Sequence, residues 1–254
     1  MNEAPARSSR QITTLNAISV DQAPRWRGAP LRGVLLDLDG TLLDTVEDIA
    51  KALNRALAEM HCASLAMAEV RNMIGGGAPT LISSAVARLG GSMSAGGEAK
   101  LLERFDFHYG QLHRLKQSRA RVYPGVAAGL RELHELGLKL AVVTNKAKPL
   151  AAELLHQLAL SAWIDFVVGG ECCPRRKPSA EPLLSACNAL GINPCEALMV
   201  GDSSNDVLAA RAADIPVVCV LYGYNEGRDQ RDLTCDAFIE SLAELPRILS
   251  GAAR

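Results

Sequence analysis

Short apolar runs alternate with helix-forming stretches along most of the chain, and this alternation restricts the fold more than any other feature of the sequence. Five such runs, each ending in polar or glycine residues, occupy residues 31–40, 138–145, 164–170, 196–202 and 215–223. Uninterrupted apolar runs of this length are typical of strands buried on both faces of a parallel sheet. Because helical patterns separate them, the sequence predicts an α/β fold with a doubly wound, Rossmann-like parallel sheet.

One interval lacks strands. Residues 45–120 contain only helix-like patterns: VEDIAKALNRALAEM, LAMAEVRNM, APTLISSAVARL and EAKLLERFDFHYGQLHRLKQS. Asp44 and Glu47 have the spacing of a capping signal for the first of them. Since this is too much helix for one crossover, we predict an inserted all-helical domain at 45–120, within an α/β core formed by 31–44 and 121–254. The insert would lie over the carboxyl ends of the strands, where it could close as a lid.

The rest of the composition narrows the class of protein. Residues 1–30 have little periodicity and predict a flexible N-terminal tail. The 27 basic and 28 acidic residues are balanced, so nothing indicates a nucleic-acid-binding or polybasic membrane protein, and no apolar run approaches the roughly 20 residues that span a bilayer. Seven cysteines without a CxxC pair or a secretory signal predict reduced thiols in the cytoplasm.

Four clusters of polar residues follow four of the predicted strands. They are Asp37 and Asp39 in DLDGT, Thr144 and Asn145 in VVTN, Lys177 in RRKPS, and Asp202 and Asp206 in GDSSND. Each alone is a weak signal, because strand-to-helix loops are commonly polar and an Asp such as Asp206 often caps a helix. Four clusters at one edge of one sheet indicate a functional site.

This predicted cluster needs a cation. Its four carboxylates and one ammonium group carry a net charge of −3, and unpaired carboxylates close together are strongly unfavourable. A divalent cation reduces the charge to −1 and allows an anionic substrate to bind. Oxygen ligands without an HExxH motif favour Mg²⁺ over zinc.

The residues that would select a substrate are less well defined. The triple glycine at 75–77 predicts a flexible turn, or a loop whose backbone approaches the substrate. Four cations of the helical interval are available to an anionic substrate, but each is more typical of a solvated helix side chain: Arg71, Lys100, Arg104 and Arg114.

The DLDGT, VVTN, KPSAEP and GDSSND segments, in this order and at these separations, resemble the four motifs of the haloacid dehalogenase superfamily. The helical insert resembles the first type of cap in that superfamily, and the resemblance covers roughly residues 31 to 230. Within the superfamily, the IGGGAPTLI, VYPGV, AVVTNK and LYGYN segments are most similar to bacterial phosphoglycolate phosphatases.

The resemblance implies a role for each acidic residue at the reacting centre. Asp37 would be the nucleophile and a Mg²⁺ ligand. Asp39 would be the general acid and then the general base, and its backbone carbonyl would also bind the metal. Asp202 would be a further metal ligand.

It also implies how the phosphoryl group is held. Thr144 and the backbone amide of Asn145 would bind phosphoryl oxygens, and Lys177 would neutralise the transferring group and orient the nucleophile. Asp206 and Thr41 would support the site.

The resemblance thus predicts a Mg²⁺-dependent phosphatase that hydrolyses a small phosphomonoester, most closely 2-phosphoglycolate, through an aspartyl-phosphate. The expected partner is a small phosphorylated metabolite, with neither nucleic acid nor membrane, and the expected state is a monomer or homodimer. Other small substrates, such as a sugar or amino-sugar phosphate, and a phosphomutase of the same superfamily remain open alternatives.

Three other classes are disfavoured. A haloacid dehalogenase needs neither magnesium nor an acid that protonates a leaving alkoxide. The presence of Asp39, which is such an acid, argues against this class. A phosphorylatable receiver-type signalling domain has no long helical insert and no acid two residues after the phosphorylated Asp. The complete set of catalytic residue types argues against a purely binding or regulatory protein.

Overall fold

The computed structural model of the protein describes residues 23–91, 93–94 and 96–251, so residues 1–22 of the predicted tail lie outside the described residues. The strands are β1 (Arg25–Trp26), β2 (Ala29–Pro30), β3 (Gly33–Leu36), β4 (Leu43–Asp44), β5 (Arg121–Val122), β6 (Lys139–Val143), β7 (Phe166–Val168), β8 (Ala197–Gly201), β9 (Val217–Val220) and β10 (Ala237–Ile239). The helices are α1 (Val46–Glu59), α2 (Met67–Arg71), α3 (Ala78–Arg88), α4 (Gly97–Arg114), α5 (Val126–Glu135), α6 (Lys148–Gln157), α7 (Glu181–Leu190), α8 (Ser204–Ala212) and α9 (Leu245–Leu249). None of the helices in these ranges is long and apolar enough to cross a membrane.

A six-stranded parallel sheet in the order β10–β9–β8–β3–β6–β7 forms the centre of the protein. All four residues of β3 are buried, as expected for a strand covered on both faces. The chain proceeds from β3 to β6 and β7 on one side, and then returns to β8, β9 and β10 on the other. This reversal beside β3 is the topological switch point at which open α/β sheets bind ligands. The predicted doubly wound α/β fold is confirmed.

The sheet extends further than the sequence patterns indicated. The five predicted strands correspond to β3, β6, β7, β8 and β9, but β10 was not predicted. Only three residues long, it lies at the edge of the sheet and is buried at one position, Ile239, so it lacks a clear apolar run.

The predicted flexible tail is wrong for its last residues. Strands β1 and β2 pair as an antiparallel hairpin over residues 25–30. Trp26 is 8% exposed and belongs to the same apolar cluster as Val34 and Leu36 of β3. One large aromatic side chain buries enough apolar surface to attach a short, otherwise polar segment to the core.

Helices α1 to α4 fill the interval between β4 and β5, at the four places where helical patterns occur in the sequence. They pack around an apolar cluster that is separate from the two clusters on the faces of the sheet and whose one buried member from outside the interval, among the residues that the structure describes, is Tyr224. Leu53 and Leu57 of α1 meet Leu101 and Leu112 of α4 in this cluster, and all four are fully buried. The helical interval therefore has its own core.

The start of α1 differs from the capping prediction. Thr45 rather than Asp44 is the N-cap residue, and no side chain caps the helix. Asp44 Oδ1 lies 3.5 Å from the amide of Val46, too far for an effective cap, and accepts a hydrogen bond from the Tyr224 hydroxyl at 2.9 Å. The Thr45 hydroxyl donates to Asp39 Oδ1 at 2.6 Å. These polar side chains join the helical interval to the sheet edge instead of capping α1.

Two contacts bring the ends of the helical interval together. Strands β4 and β5, which enter and leave it, pair in antiparallel fashion. Asp48 of α1 is fully buried and accepts hydrogen bonds from the Ser118 hydroxyl at 2.5 Å, the Arg119 amide at 2.8 Å and the Ala120 amide at 3.2 Å. One buried carboxylate thus fixes the chain where it returns to the sheet.

Replacing Asp48 with Ala is expected to lower the free energy of unfolding by about 2–4 kcal/mol, because the Ser118 hydroxyl and two backbone amides lose their buried, charged acceptor. Chemical denaturation of the purified variant measures this. Glu47→Ala, which removes an exposed neighbouring acid, is the matched control and should change stability by less than about 1 kcal/mol. Equal effects of the two substitutions would contradict the role given to Asp48.

Candidate active site

The four predicted clusters converge at the carboxyl edge of the sheet. Asp37 follows β3, Thr144 follows β6 and Asp202 follows β8. The backbone amide of Asp37 donates to Val200 O of the neighbouring strand at 2.9 Å, and that of Thr144 donates to Val168 O at 3.0 Å. Sheet hydrogen bonding therefore continues into the site residues and fixes where their side chains begin.

Lys177 connects two of the strands and a helix. Its Nζ donates to Asp37 Oδ1 at 2.6 Å, Asp206 Oδ1 at 2.7 Å and Val143 O at 2.6 Å, and the residue is 4% exposed. Burial opposes the charge, but the Asp206 and Asp37 carboxylates raise the pKa of Lys177 above its usual value. All three ammonium donors are engaged.

Asp206 has both a structural and an electrostatic role. Its Oδ2 accepts from the amides of Asp202 at 3.2 Å and Ser203 at 3.1 Å and from the Ser203 hydroxyl at 2.8 Å. These contacts fix the turn that begins α8, as expected of a helix-capping acid. The other oxygen accepts from Lys177 Nζ at 2.7 Å, so Asp206 both fixes the start of α8 and lies in the carboxylate cluster.

Asp202 lies in a close-fitting enclosure. Its Oδ1 accepts from the Thr41 hydroxyl at 2.9 Å, and its Oδ2 accepts from the Tyr224 amide at 2.7 Å. A Cβ atom on Gly40 would lie 2.2 Å from Asp202 Oδ2, and Gly40 has a φ of +98°. Glycine is therefore required in DLDGT for both space and backbone conformation.

The carboxylates form a set of buried oxygen donors. Asp37, Asp202 and Asp206 each offer an oxygen within 4.8 Å of the others. Burial raises the pKa of Asp37 to about 7 in spite of Lys177, with Asp206 and Asp39 adding to the increase. Burial, followed by the charges of Asp37 and Asp206, raises the pKa of Asp202 well above its ordinary value.

A hard divalent cation fits this donor set, because it would balance the negative charge of these buried, closely spaced carboxylates and because the ligands are all oxygens. Asp206 already uses one oxygen for Lys177 and the other for the α8 turn. Asp202 accepts only one hydrogen bond on each oxygen from the described residues, both from neutral groups. Asp37 accepts one from Lys177. These two carboxylates therefore keep more lone pairs for the cation than Asp206 does.

Asp39 pairs with a residue that the sequence analysis did not assign to the site. Its Oδ2 lies 2.8 Å from Nζ of Lys146, whose side chain is 8% exposed. Burial opposes the charge of Lys146, but Asp39 and Tyr109 raise its pKa above the usual value. The signal that could have identified Lys146 is its position directly after Thr144 and Asn145 at the end of β6.

The side chain of Asn145 links two loops. Its Nδ2 donates to Gly75 O at 2.9 Å and Lys177 O at 3.0 Å, and its Oδ1 accepts from the Lys177 amide at 3.1 Å. Because the side chain is used in this way, only the backbone amide remains to hold a phosphoryl oxygen. A Cβ on Gly77, whose φ is +82°, would lie 2.8 Å from Asn145 O, so the glycine loop approaches the site closely.

A cavity of about 360 Å³ separates the sheet edge from the helical interval. Asp37, Asp39, Thr144, Asn145 and Lys146 line its polar side. Its apolar lining consists mainly of six side chains, Ile49, Ile74, Leu81, Leu102, Phe105 and Leu150. This is the form of a small-molecule site, with few polar groups at one end of an apolar enclosure.

The four cations considered in the sequence do not line the cavity. Arg71 donates to Gly223 O at 2.8 Å, Arg104 pairs with Glu59, and Lys100 and Arg114 are exposed. The cations that line it are Lys146 and Arg176. Arg176 directly precedes Lys177 and was also missed.

Comparison with known proteins identifies the family. Residues 34–220 match the model of the haloacid dehalogenase-like hydrolases. The chain belongs to this family. A phosphoglycolate phosphatase of Nitrosospira multiformis is 41% identical over 87% of this chain and 96% of its own length. The plasmid phosphoglycolate phosphatase of Cupriavidus necator is 40% identical over 88% and 95%.

Solved structures agree with these relatives. The crystal structure of a "predicted phosphoglycolate phosphatase" from Haemophilus somnus superposes with a TM-score of 0.80 at 30% identity, covering 86% of this chain and 97% of the other. The chain therefore belongs with the phosphoric monoester hydrolases of the phosphoglycolate phosphatase type.

Gly40→Ala is expected to lower kcat/KM for phosphate release about 100-fold, because the new methyl group displaces the Asp202 carboxylate. Gly28→Ala is the matched control: Gly28 has a φ of +87°, and no atom lies within 4 Å of the position that its new methyl group would take. Steady-state kinetics of both variants should show a loss only for Gly40→Ala. Near-normal activity of Gly40→Ala would contradict the requirement for a closely packed Asp202.

Proposed function

We propose that this enzyme is a Mg²⁺-dependent phosphatase that hydrolyses 2-phosphoglycolate to glycolate and phosphate through an aspartyl-phosphate on Asp37. One observation carries the proposal: Asp37 lines the cavity with one oxygen on the Lys177 ammonium, while Asp39 is held separately by Lys146 and Thr45. The two carboxylates thus have different surroundings, as a nucleophile and a proton carrier require. The substrate is taken from the names of the relatives.

The metal would be held by the carboxylates of Asp37 and Asp202 and by the backbone carbonyl of Asp39. Asp206 and Thr41 would support it by fixing Lys177 and Asp202. When bound, Mg²⁺ supplies positive charge next to the phosphoryl oxygens. Around it, when Asp39 is ionised, four carboxylates face the ammonium groups of Lys177 and Lys146, which leaves two negative charges for one divalent cation to balance.

In the first half-reaction an oxygen of Asp37 attacks phosphorus. The Asp37–phosphorus bond forms as the ester bond breaks, and Asp39 gives its proton to the leaving glycolate oxygen. The Thr144 hydroxyl and the Asn145 amide hold the phosphoryl oxygens, and Lys177 balances their charge and keeps Asp37 oriented. The fixed sheet-edge geometry places these groups before the substrate arrives.

In the second half-reaction water replaces the departed alcohol. Asp39, now ionised, takes a proton from the water molecule. The water oxygen bonds to phosphorus as the Asp37–phosphorus bond breaks. Phosphate leaves and both aspartates return to their starting states. Dividing the reaction in this way allows one proton carrier to serve both steps of a reaction that is extremely slow in water.

We further propose that residues 45–120 act as a cap over the core formed by 31–44 and 121–254, with β4 and β5 as the connection. The separate apolar cluster of the helices and the position of the cavity beneath them support this division. The proposal includes a cytoplasmic monomer or homodimer that acts on a small metabolite, without nucleic acid or membrane. Seven free cysteines fit a reducing compartment.

Asp37→Asn is expected to lower the rate of phosphate release by about 10³-fold or more, because an amide oxygen is a poor nucleophile. Asp214→Asn is the control for the same chemical change: Asp214 is exposed after α8 with a φ of +55°, which Asn tolerates. Release of phosphate by Asp37→Asn at the wild-type rate would rule out the covalent mechanism. Transfer of phosphate to a second site on the substrate, rather than release, would indicate a mutase.

Removing divalent cations is expected to stop turnover, because the carboxylate cluster then repels the anionic substrate. The measurement is phosphate release after dialysis against EDTA, followed by addition of Mg²⁺. Activity should be lost and restored in the wild type, and Asp202→Asn should need a higher Mg²⁺ concentration. Full turnover in excess EDTA would contradict the metal requirement.

A further inference from the structure

The cavity contains an ammonium group that the reaction steps above leave unused. Lys146 Nζ lies 2.8 Å from Asp39 Oδ2 and 4.7 Å from the centre of the Tyr109 ring. In the described part of the chain, Asp39 is the one carboxylate within 4 Å of this ammonium. An ammonium group has three N–H donors, so the contact with Asp39 leaves donors for a further anion.

The surroundings favour an anion at this position. The six apolar side chains named above contribute to the rest of the cavity wall, where they exclude water and strengthen any ion pair formed inside. Two further acids, Asp106 and Glu171, also line the cavity, but neither lies within 4 Å of the Lys146 ammonium. Lys177 cannot serve, because its three donors already contact Asp37, Asp206 and Val143 O. An anionic group of the substrate, other than the phosphate, therefore gains most from lying beside Lys146.

The position of Lys146 also fits a particular kind of substrate. Asp39 must reach the ester oxygen to protonate it, and Lys146 is in contact with Asp39. In a 2-phosphorylated carboxylic acid, two single bonds separate that ester oxygen from the carboxyl carbon, a distance of about 2.5 Å. A carboxylate so close to the ester oxygen would lie within reach of the Lys146 ammonium.

Arg176 is the other cation in the cavity wall and the rival candidate. Its Nε donates to Gly170 O at 2.9 Å, and its guanidinium lies against Gly77. It forms no ion pair with Asp37 or Asp39 within the described residues. Arg176 therefore has no ion pair with the acid that must reach the ester oxygen, whereas Lys146 has one.

We propose that Lys146 binds a carboxylate on the carbon that carries the phosphate ester, and so selects small phosphorylated 2-hydroxy acids over uncharged phosphate esters. This inference depends on the proposed function, because it assigns the substrate class of the same site. It gives Lys146 two contacts, one with Asp39 and one with the substrate.

The test compares kcat/KM for 2-phosphoglycolate and ethyl phosphate, which has a methyl group in place of the carboxylate, both with Mg²⁺. Wild-type enzyme should prefer 2-phosphoglycolate. Lys146→Met should reduce that preference at least about 30-fold, while Lys146→Arg retains most of it. Lys148→Met is the matched control: Lys148 lies two residues away with its Nζ 4.9 Å from the centre of the Phe166 ring, and it should leave the preference unchanged.

The preference is the decisive quantity, because Lys146 also touches Asp39 and its loss can slow both substrates. An equal decrease on both substrates would mean that Lys146 only positions Asp39, and would overturn the proposal. Loss of preference in Arg176→Met, with the preference retained in Lys146→Met, would overturn it in favour of Arg176.

A second measurement does not depend on the folding of Lys146→Met. With wild-type enzyme, 3-phosphonopropionate, in which a CH2 group replaces the ester oxygen of 2-phosphoglycolate, should inhibit at least about tenfold more strongly than propylphosphonate, and equal inhibition would overturn the proposal. Failure of the role given to Lys146 can be distinguished from failure of the proposed function. Wild-type hydrolysis of both esters without preference overturns the role of Lys146 alone, whereas no Mg²⁺-dependent hydrolysis of any phosphate ester overturns the proposed function as well.

Discussion

The buried ammonium of Lys177 joins Asp37 after β3, Asp206 at the start of α8 and the carbonyl of Val143 at the end of β6. A buried charge that loses a partner destabilises a protein by about 3–5 kcal/mol, so these contacts must form together. They can form only when the strands have their correct order and register. Fold and site are therefore mutually dependent: the sheet brings the charged groups together, and the charged groups require that sheet.

The same arrangement explains the close packing around the acids. Four carboxylates and two ammonium groups meet at one edge, and burial raises the pKa values of Asp37 and Asp202. Gly40 allows the backbone to pass beside Asp202, which Thr41 and the Tyr224 amide hold in place. These contacts keep the oxygens in position while no substrate is bound, which is the preorganisation that phosphoryl transfer needs.

The sequence predicted the parts of this account that are local. Buried parallel strands have distinctive apolar runs, and the residues that follow them must share one edge, so Asp37, Thr144 and Asp202 could be placed together. Lys146 was missed because its importance depends on packing: it becomes part of the site only when Tyr109 of α4 lies beside it and Asp39 accepts from it. Trp26 was missed because one aromatic residue in a polar segment produces no periodic pattern.

The central claim is that Asp37 becomes phosphorylated during turnover. The most direct measurement is rapid acid quenching of the enzyme during hydrolysis, followed by peptide mass spectrometry. The account predicts that one phosphoryl group is found on the peptide of the DLDGT segment and assigned to Asp37, and that it disappears when substrate is exhausted. A phosphoryl group on another residue, or no phosphorylated peptide at any quench time during turnover, would contradict it.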